Sequence, residues 1–125
     1  MIDHVSVGVS DLVRSARFYE RALAPLGLTR LIERPTTIGF GKAYPEFWIN
    51  LRPAMARVPA DTGSHVGLRA RSMAEVDAFH AAALEAGGVS DGAPGLRPHD
   101  RVRYYAAFVL DPDGNRIEAV TFPSE

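Results

Sequence analysis

Residues 4–28, HVSVGVSDLVRSARFYERALAPLGL, align without a gap on residues 65–89, HVGLRARSMAEVDAFHAAALEAGGV. At this offset of 61 positions His4 meets His65, Val5 meets Val66, Phe18 meets Phe79, Ala22 meets Ala83, Leu23 meets Leu84 and Gly27 meets Gly88. The matches fall at structural punctuation: a histidine opening an alternating stretch, an aromatic inside a helical stretch, a glycine closing it. An internal repeat constrains the fold before any single element is read. Two copies are too few for a solenoid. They predict a duplicated module folded about a pseudo-twofold axis, with the two histidines facing each other across it.

Working outward, residues 2–9 alternate. Val5, Val7 and Val9 point one way and His4, Ser6 and Gly8 the other, which predicts a half-buried strand. Ser10 or Asp11 is the expected N-cap of a helix running to about residue 26. Leu12, Ala16, Tyr19, Leu23 and Leu26 form its inner stripe, and Gly27 its stop. Strands are expected at 28–33, 36–42 and, after the breaker Pro45, at 47–52. Residues 53–63, with Pro53, Pro59 and Gly63, read as a linker. The second copy repeats the order. A strand at 64–70 turns Val66, Leu68 and Ala70 inward. Ser72 and Glu75 form a capping box, and the helix behind them turns Met73, Val76, Phe79 and Ala83 inward and stops at Gly87-Gly88. Residues 90–103, rich in Gly, Pro and Arg, read as a loop, and a strand near Val89 has the weakest signal of all. Strands at 104–110 and 115–122 flank Asp111-Pro112-Asp113-Gly114, a strong hairpin signal. The pattern is βαβββ twice: one α+β domain over 1–125, with module one at about 1–52 and module two at about 64–125.

Composition narrows the function. The chain has 125 residues, 46% of them apolar and 23% charged, as in ordinary globular domains. A net charge of −1 argues against nucleic-acid or membrane-surface partners, which need a basic footprint. There is no cysteine, so a metal site must use His, Asp or Glu. No apolar run approaches the roughly 20 residues of a membrane span. The first residues lack the basic and apolar regions of a signal peptide, so a cytoplasmic location is expected.

His4 and His65 hold the same position on equivalent strands, facing away from the aliphatic side. In residues 116–120, Ile117 and Ala119 point away from Glu118, which places the carboxylate on the cavity face with Val120. A carboxylate inside a sheet needs a partner, because burying it unpaired is costly. Two imidazoles and a carboxylate converging there suit a divalent metal with positions left open for water or substrate. The plainer reading of each histidine is a hydrogen-bonded or exposed strand residue. The repeat relation and the glutamate weigh for a shared role.

Ile2-Asp3-His4-Val5, Phe18-Tyr19, Leu26-Gly27 and the Asp111-Pro112-Asp113-Gly114-Asn115 turn followed by Ile117-Glu118 resemble the vicinal oxygen chelate superfamily over nearly the whole chain. That group holds glyoxalase I, fosfomycin- and bleomycin-resistance proteins, methylmalonyl-CoA epimerase and extradiol dioxygenases. The resemblance implies paired βαβββ modules forming an eight-stranded mixed sheet, cup-shaped around a metal, with His4, His65 and Glu118 as ligands from the first, fifth and eighth strands. The cofactor implied is a divalent ion: Zn, Ni, Mn or Fe. The family's fourth position falls on Asn50. Glyoxalase I has a glutamate there that takes part in proton transfer, and an amide accepts no proton near neutral pH. Asn50 therefore speaks against glyoxalase I itself, and looks more like the epimerase branch with its glutamine.

The expected function is a metal-dependent lyase or isomerase acting on a small oxygenated metabolite. The alternatives are an extradiol-type iron(II) dioxygenase and a non-catalytic protein that sequesters a drug or metabolite. Glu118, the only carboxylate among the implied ligands, can remain a ligand or dissociate and act as base. Of Tyr104 and Tyr105 one should face the cup; Tyr105 is the candidate catalytic phenol and Tyr104 a substrate contact. Asn50, Trp48, His99 and Arg103 complete the candidate substrate contacts, with Arg97 and Arg101 adding to a basic loop that is otherwise a solvated run. Phe47 is expected beside Trp48 in the cup or at a dimer surface, and His80 to be structural. Family cups are often assembled between two chains, so a homodimer is expected.

Overall fold

The valine alternation becomes a strand at Val5–Val9 (β1), with Val9 fully buried. The computed structural model describes residues 1–124. Asp11 caps the helix Leu12–Leu23 (α1) by accepting from the Arg14 N–H at 3.0 Å. The helix stops earlier than expected. Pro25 lacks the N–H that an α-turn needs, so Ala24–Leu26 tightens into one 3₁₀ turn. Gly27 then reverses the chain at φ 80°. Three strands follow: Thr29–Glu33 (β2), Thr37–Gly41 (β3) and Pro45–Leu51 (β4). Pro45 opens β4 rather than blocking it, since a first strand residue can lack a ladder donor. The second module gives Val66–Arg69 (β5), Met73–Glu85 (α2), Val89–Arg97 (β6), Tyr104–Leu110 (β7) and Arg116–Thr121 (β8).

The eight strands divide into two mixed sheets of four, ordered β1-β4-β3-β2 and β5-β8-β7-β6. In each, the first strand of the module runs parallel to the last. The segment expected as a loop at 90–103 is mostly strand. β6 pairs antiparallel with β7 from Val89↔Leu110 to Arg97↔Tyr104, with register shifts between Ser90 and Gly92 and between Gly92 and Gly95. Each bulge flips the side-chain face, so no period-two pattern survives in the sequence.

The aliphatic faces of both sheets and the inner stripes of both helices share one core. The repeat explains part of it. Phe18 and Phe79 are both buried, as are Ala22 and Ala83, whose small side chains let the helices approach. Fully burying one such phenylalanine contributes about 1.5–3 kcal/mol. The symmetry lapses at Leu84, which is 40% exposed where Leu23 is buried. Met73, expected to face inward, is also exposed. Phe47, expected in the cup, is fully buried, its ring 4.9 Å from that of Tyr19. No helix of the described residues is long and apolar enough to cross a membrane.

The Asp-Pro-Asp-Gly-Asn turn does more than close a hairpin. Asp111, 1% exposed, accepts from the Tyr19 hydroxyl of α1 (2.5 Å), from the Asn115 amide group (2.8 Å) and from the backbone N–H groups of Asp113 (2.9 Å) and Asn115 (2.8 Å). Asp113 accepts from the Ser10 hydroxyl (2.5 Å) and N–H (3.0 Å), and Asn115 donates to the Gly8 carbonyl (2.9 Å). The turn thus clamps the first module to the second. Burial raises the Asp111 carboxyl above its usual range, and its donors pull it back.

Burial first, then Asp111, holds the Tyr19 hydroxyl well above its usual 10.0. Burial and Glu118 push Tyr104 up to about 12. Both groups keep in the fold a proton that the unfolded chain releases near pH 10, so the folded state binds more protons above that pH. Their stabilisation is whole below about pH 10 and is lost as pH rises further. Urea midpoints are expected to hold from pH 8 to 9.5 and then fall. The fall should be shallower in Tyr19→Phe; an identical slope in that variant would remove Tyr19 as a cause.

Candidate functional site

In the second sheet Glu118 pairs in register with Gly67 of β5 and Phe108 of β7. Side chains on one face of a strand recur every second residue, so His65, Tyr104 and Phe108 share the face of Glu118. Glu118 is 2% exposed, and its Oε1 lies 3.0 Å from His65 Nε2. The Tyr104 hydroxyl donates to its other oxygen, Oε2, in a short hydrogen bond. Phe108 lies edge-on to the His65 ring at 5.8 Å. A buried carboxylate is therefore held by an imidazole and a phenol, beside a face open enough that the His65 side chain is 42% exposed.

Tyr105, expected as the catalytic phenol, points the other way. It belongs with Ala107 and Val109 on the core-facing side, and its hydroxyl donates to Asp77 of α2 at 2.6 Å. Tyr104 takes the place beside Glu118. The Tyr104 ring stacks on His99, with centroids 6.1 Å apart at 10°, and meets Phe122 edge-on. His99 Nδ1 accepts from the backbone N–H groups of Arg101 and Val102, which fixes its ring. His99, Arg101, Arg103 and Phe122 line a 440 Å³ cavity next to this stack. Arg97 and Arg103 spend donors on backbone carbonyls, those of Ala93, Gly95 and Ser124. His80 bonds Ser90 at 2.8 Å, a structural contact as expected.

The first sheet carries the counterpart. β1 and β4 pair as Ser6↔Trp48 and Gly8↔Asn50, which puts His4, Ser6, Trp48 and Asn50 on one face. Gly39 of β3 seats the indole, because a Cβ there would meet the Trp48 ring at 3.0 Å. His4, Arg34, Thr37, Trp48 and Asn50 line a 220 Å³ cleft with Ser6. Within one chain His4 does not join His65 and Glu118: it bonds its neighbour Asp3 at 2.8 Å, and no three His, Asp or Glu side chains gather among the described residues. The expected three-ligand cluster is thus split between the two sheets. One chain offers an imidazole and a carboxylate, which is short of the three protein ligands of an open metal site. The two that meet do so at hydrogen-bond distance.

Sequence reading missed Phe108 and Arg34, and misassigned the two tyrosines. The register signal for Phe108 and Tyr104 is the antiparallel hairpin counted back from Glu118.

Comparison with known proteins places the chain in a family. The family model for the Glyoxalase/Bleomycin resistance protein/Dioxygenase superfamily matches residues 1–119. Among solved structures, a glyoxalase/bleomycin resistance protein from Albidiferax ferrireducens T118 is 34% identical, with 94% of this chain and 96% of that one covered and a TM-score of 0.83. A glyoxalase-related enzyme from Fulvimarina pelagi is 22% identical over 96% of this chain and 86% of its own, with a TM-score of 0.74. A lactoylglutathione lyase from Agrobacterium tumefaciens is 18% identical over 96% and 92%, with a TM-score of 0.67. These last two show the fold alone. No curated protein matches the chain. The chain belongs to the Glyoxalase/Bleomycin resistance protein/Dioxygenase superfamily.

Proposed function

We propose that two copies of the chain pair to build a metal-dependent lyase or isomerase site for a small oxygenated metabolite, each site taking His65 and Glu118 from one chain and His4 from the other. The observation that carries this reading is Glu118, a buried carboxylate touching His65 on an open face while the second imidazole sits on the other sheet. A twofold dimer presents the same patches twice and so completes two equal sites. When bound, the metal supplies Lewis acidity to two adjacent substrate oxygens. Glu118 supplies the negative charge among the ligands. Tyr104 orients it by donating its one hydroxyl proton to Oε2. His99 and Phe122 fix the Tyr104 ring. Asn50 orients substrate by hydrogen bonding and moves no proton, which leaves Glu118 as the base and sets this site apart from glyoxalase I.

Mixing subunits tests the shared site. His4→Ala and His65→Ala dimers each lack a ligand at every site and are expected to bind no stoichiometric Zn²⁺, Ni²⁺, Mn²⁺ or Fe²⁺. After exchange, a mixed dimer has one site with both histidines, so about a quarter of all sites should regain metal. No recovery after proven exchange would place the site within one chain. Wild-type protein that takes up none of these metals would move the reading to sequestration. Retained iron with oxygen uptake on a catechol would move it to dioxygenase chemistry.

A further inference from the structure

We infer that the cleft of the first sheet is a carboxylate-binding subsite, with Arg34 as the residue that receives the anion, so that the substrate is an oxygenated carboxylic acid. This deepens the reading above, because the same cleft holds His4 and Asn50.

Arg34 stands at the hairpin between β2 and β3. Its N–H donates to the Thr37 carbonyl at 2.9 Å, and Pro35 follows it, so the backbone is fixed on both sides. The guanidinium lies over the Trp48 indole, 5.5 Å from the ring centroid. The indole in turn lies flat across Gly39, where a Cβ would strike it. The cation is thus placed by a rigid turn and an aromatic floor before any ligand arrives. Arg14, Arg21, Arg30, Arg71 and Arg116 have carboxylate partners. Arg34 has none among the described residues, as is true of seven other arginines; what sets it apart is its place in the cleft beside Trp48 and Asn50. Its acidic neighbour Glu33 is held by Arg30 at 2.5 Å. The cleft lining contains one arginine, no Asp or Glu, and hydrogen-bonding groups from His4, Ser6, Thr37 and Asn50.

One unpaired guanidinium matches one negative charge, and its planar fork fits a carboxylate through two parallel hydrogen bonds. Phosphate carries about −1.5 to −2 at neutral pH, more than this single cation balances. The 220 Å³ cleft has room for a small acid.

Trp48 is the chain's only tryptophan, so its fluorescence reports on this cleft alone. We would titrate the purified protein, with and without added Zn²⁺, with benzoate, the neutral isostere benzamide, and inorganic phosphate. Benzoate is expected to change the emission saturably, phosphate to bind more weakly, and benzamide to have little effect. Arg34→Gln should weaken benzoate about tenfold or more, and Arg34→Lys, which keeps the charge and loses the fork, by less. Equal response to benzoate and benzamide, or an unchanged affinity in Arg34→Gln, would overturn the subsite. Tighter phosphate than benzoate would overturn the carboxylate assignment. Arg34-dependent benzoate binding in protein that never takes up metal would support the subsite while removing the metal-dependent reading. Stoichiometric metal with no benzoate response would do the reverse.

Discussion

Glu118→Gln is expected to strip the protein of stoichiometric metal while leaving it folded. On the proposed site the two outcomes separate, because the carboxylate then has two distinct jobs. As a side chain in β8 it fills space at 2% exposure between Gly67 and Phe108. Glutamine has nearly the same shape, and its amide group keeps a carbonyl for the Tyr104 hydroxyl or for His65. The cost to stability should therefore stay within about 2 kcal/mol, the range of one altered buried hydrogen bond. As the proposed ligand it would bring the one negative charge of the set, and an amide cannot replace it. Loss of an outer-shell partner typically costs roughly 10–100-fold in metal affinity, and loss of the charged ligand should exceed that. Tyr104→Phe supplies the internal scale. It removes only the donor to Oε2 and should fall within that roughly 10–100-fold window. Metal content after dialysis, read beside a thermal melt, checks both. Glu118→Gln protein that holds metal as well as Tyr104→Phe would mean that the carboxylate is a structural partner of His65 and no ligand.

How far residues speak for themselves differed by element. The valines of β1, the stripe of α1 and the Phe18/Phe79 pair were legible because burial on one face imposes a period that the sequence must carry. β6 was not, since its two register shifts erase that period and Gly and Pro stand where strand formers are expected. The second histidine, the glutamate and their common face followed from alternation alone. Which tyrosine meets Glu118 hinged on a register of one residue: Tyr104 and Tyr105 are chemically equal in sequence, and the pairing Phe108↔Glu118 decides between them. The separation of His4 from His65 within one chain was not legible, and the repeat led instead to two histidines facing each other. Pseudosymmetry says that two half-sites are equivalent and is silent on whether they face each other within one chain or across two. Arg34 escaped notice because its role depends on a space that only the bare Gly39 and the Trp48 ring define.

Asp111→Ala is expected to cause the largest loss of stability of any single change outside the apolar core. Asp111 carries the join between modules. Removing its carboxylate leaves the fully buried Tyr19 hydroxyl, one N–H of the Asn115 side-chain amide and two backbone N–H groups without their acceptor at once. Each unsatisfied buried group costs about 1–3 kcal/mol. Relaxation and water entry recover part of this, so a net loss of about 3–5 kcal/mol is expected, as for breaking a buried hydrogen-bonded charge. Against a total of roughly 5–15 kcal/mol for a domain, that is a large fraction. Tyr19→Phe should cost only about 1–1.5 kcal/mol, because it deletes one donor and leaves Asp111 three others. Asp111→Asn should fall between the two, keeping one acceptor oxygen for the turn while its new amide group meets donors rather than acceptors. Urea unfolding of the three variants at pH 7 gives the order. The ranking matters for the site as well as the fold, because Asn115 and Asp113 hold Gly8 and Ser10 at the end of β1. A clamp that loosens without unfolding should let β1 shift within its chain, displace the His4 it offers to the proposed shared site, and lower metal affinity with His4, His65 and Glu118 all intact. Asp111→Ala no less stable than Tyr19→Phe would instead make the turn a simple hairpin, and the module joint would then rest on the shared apolar core.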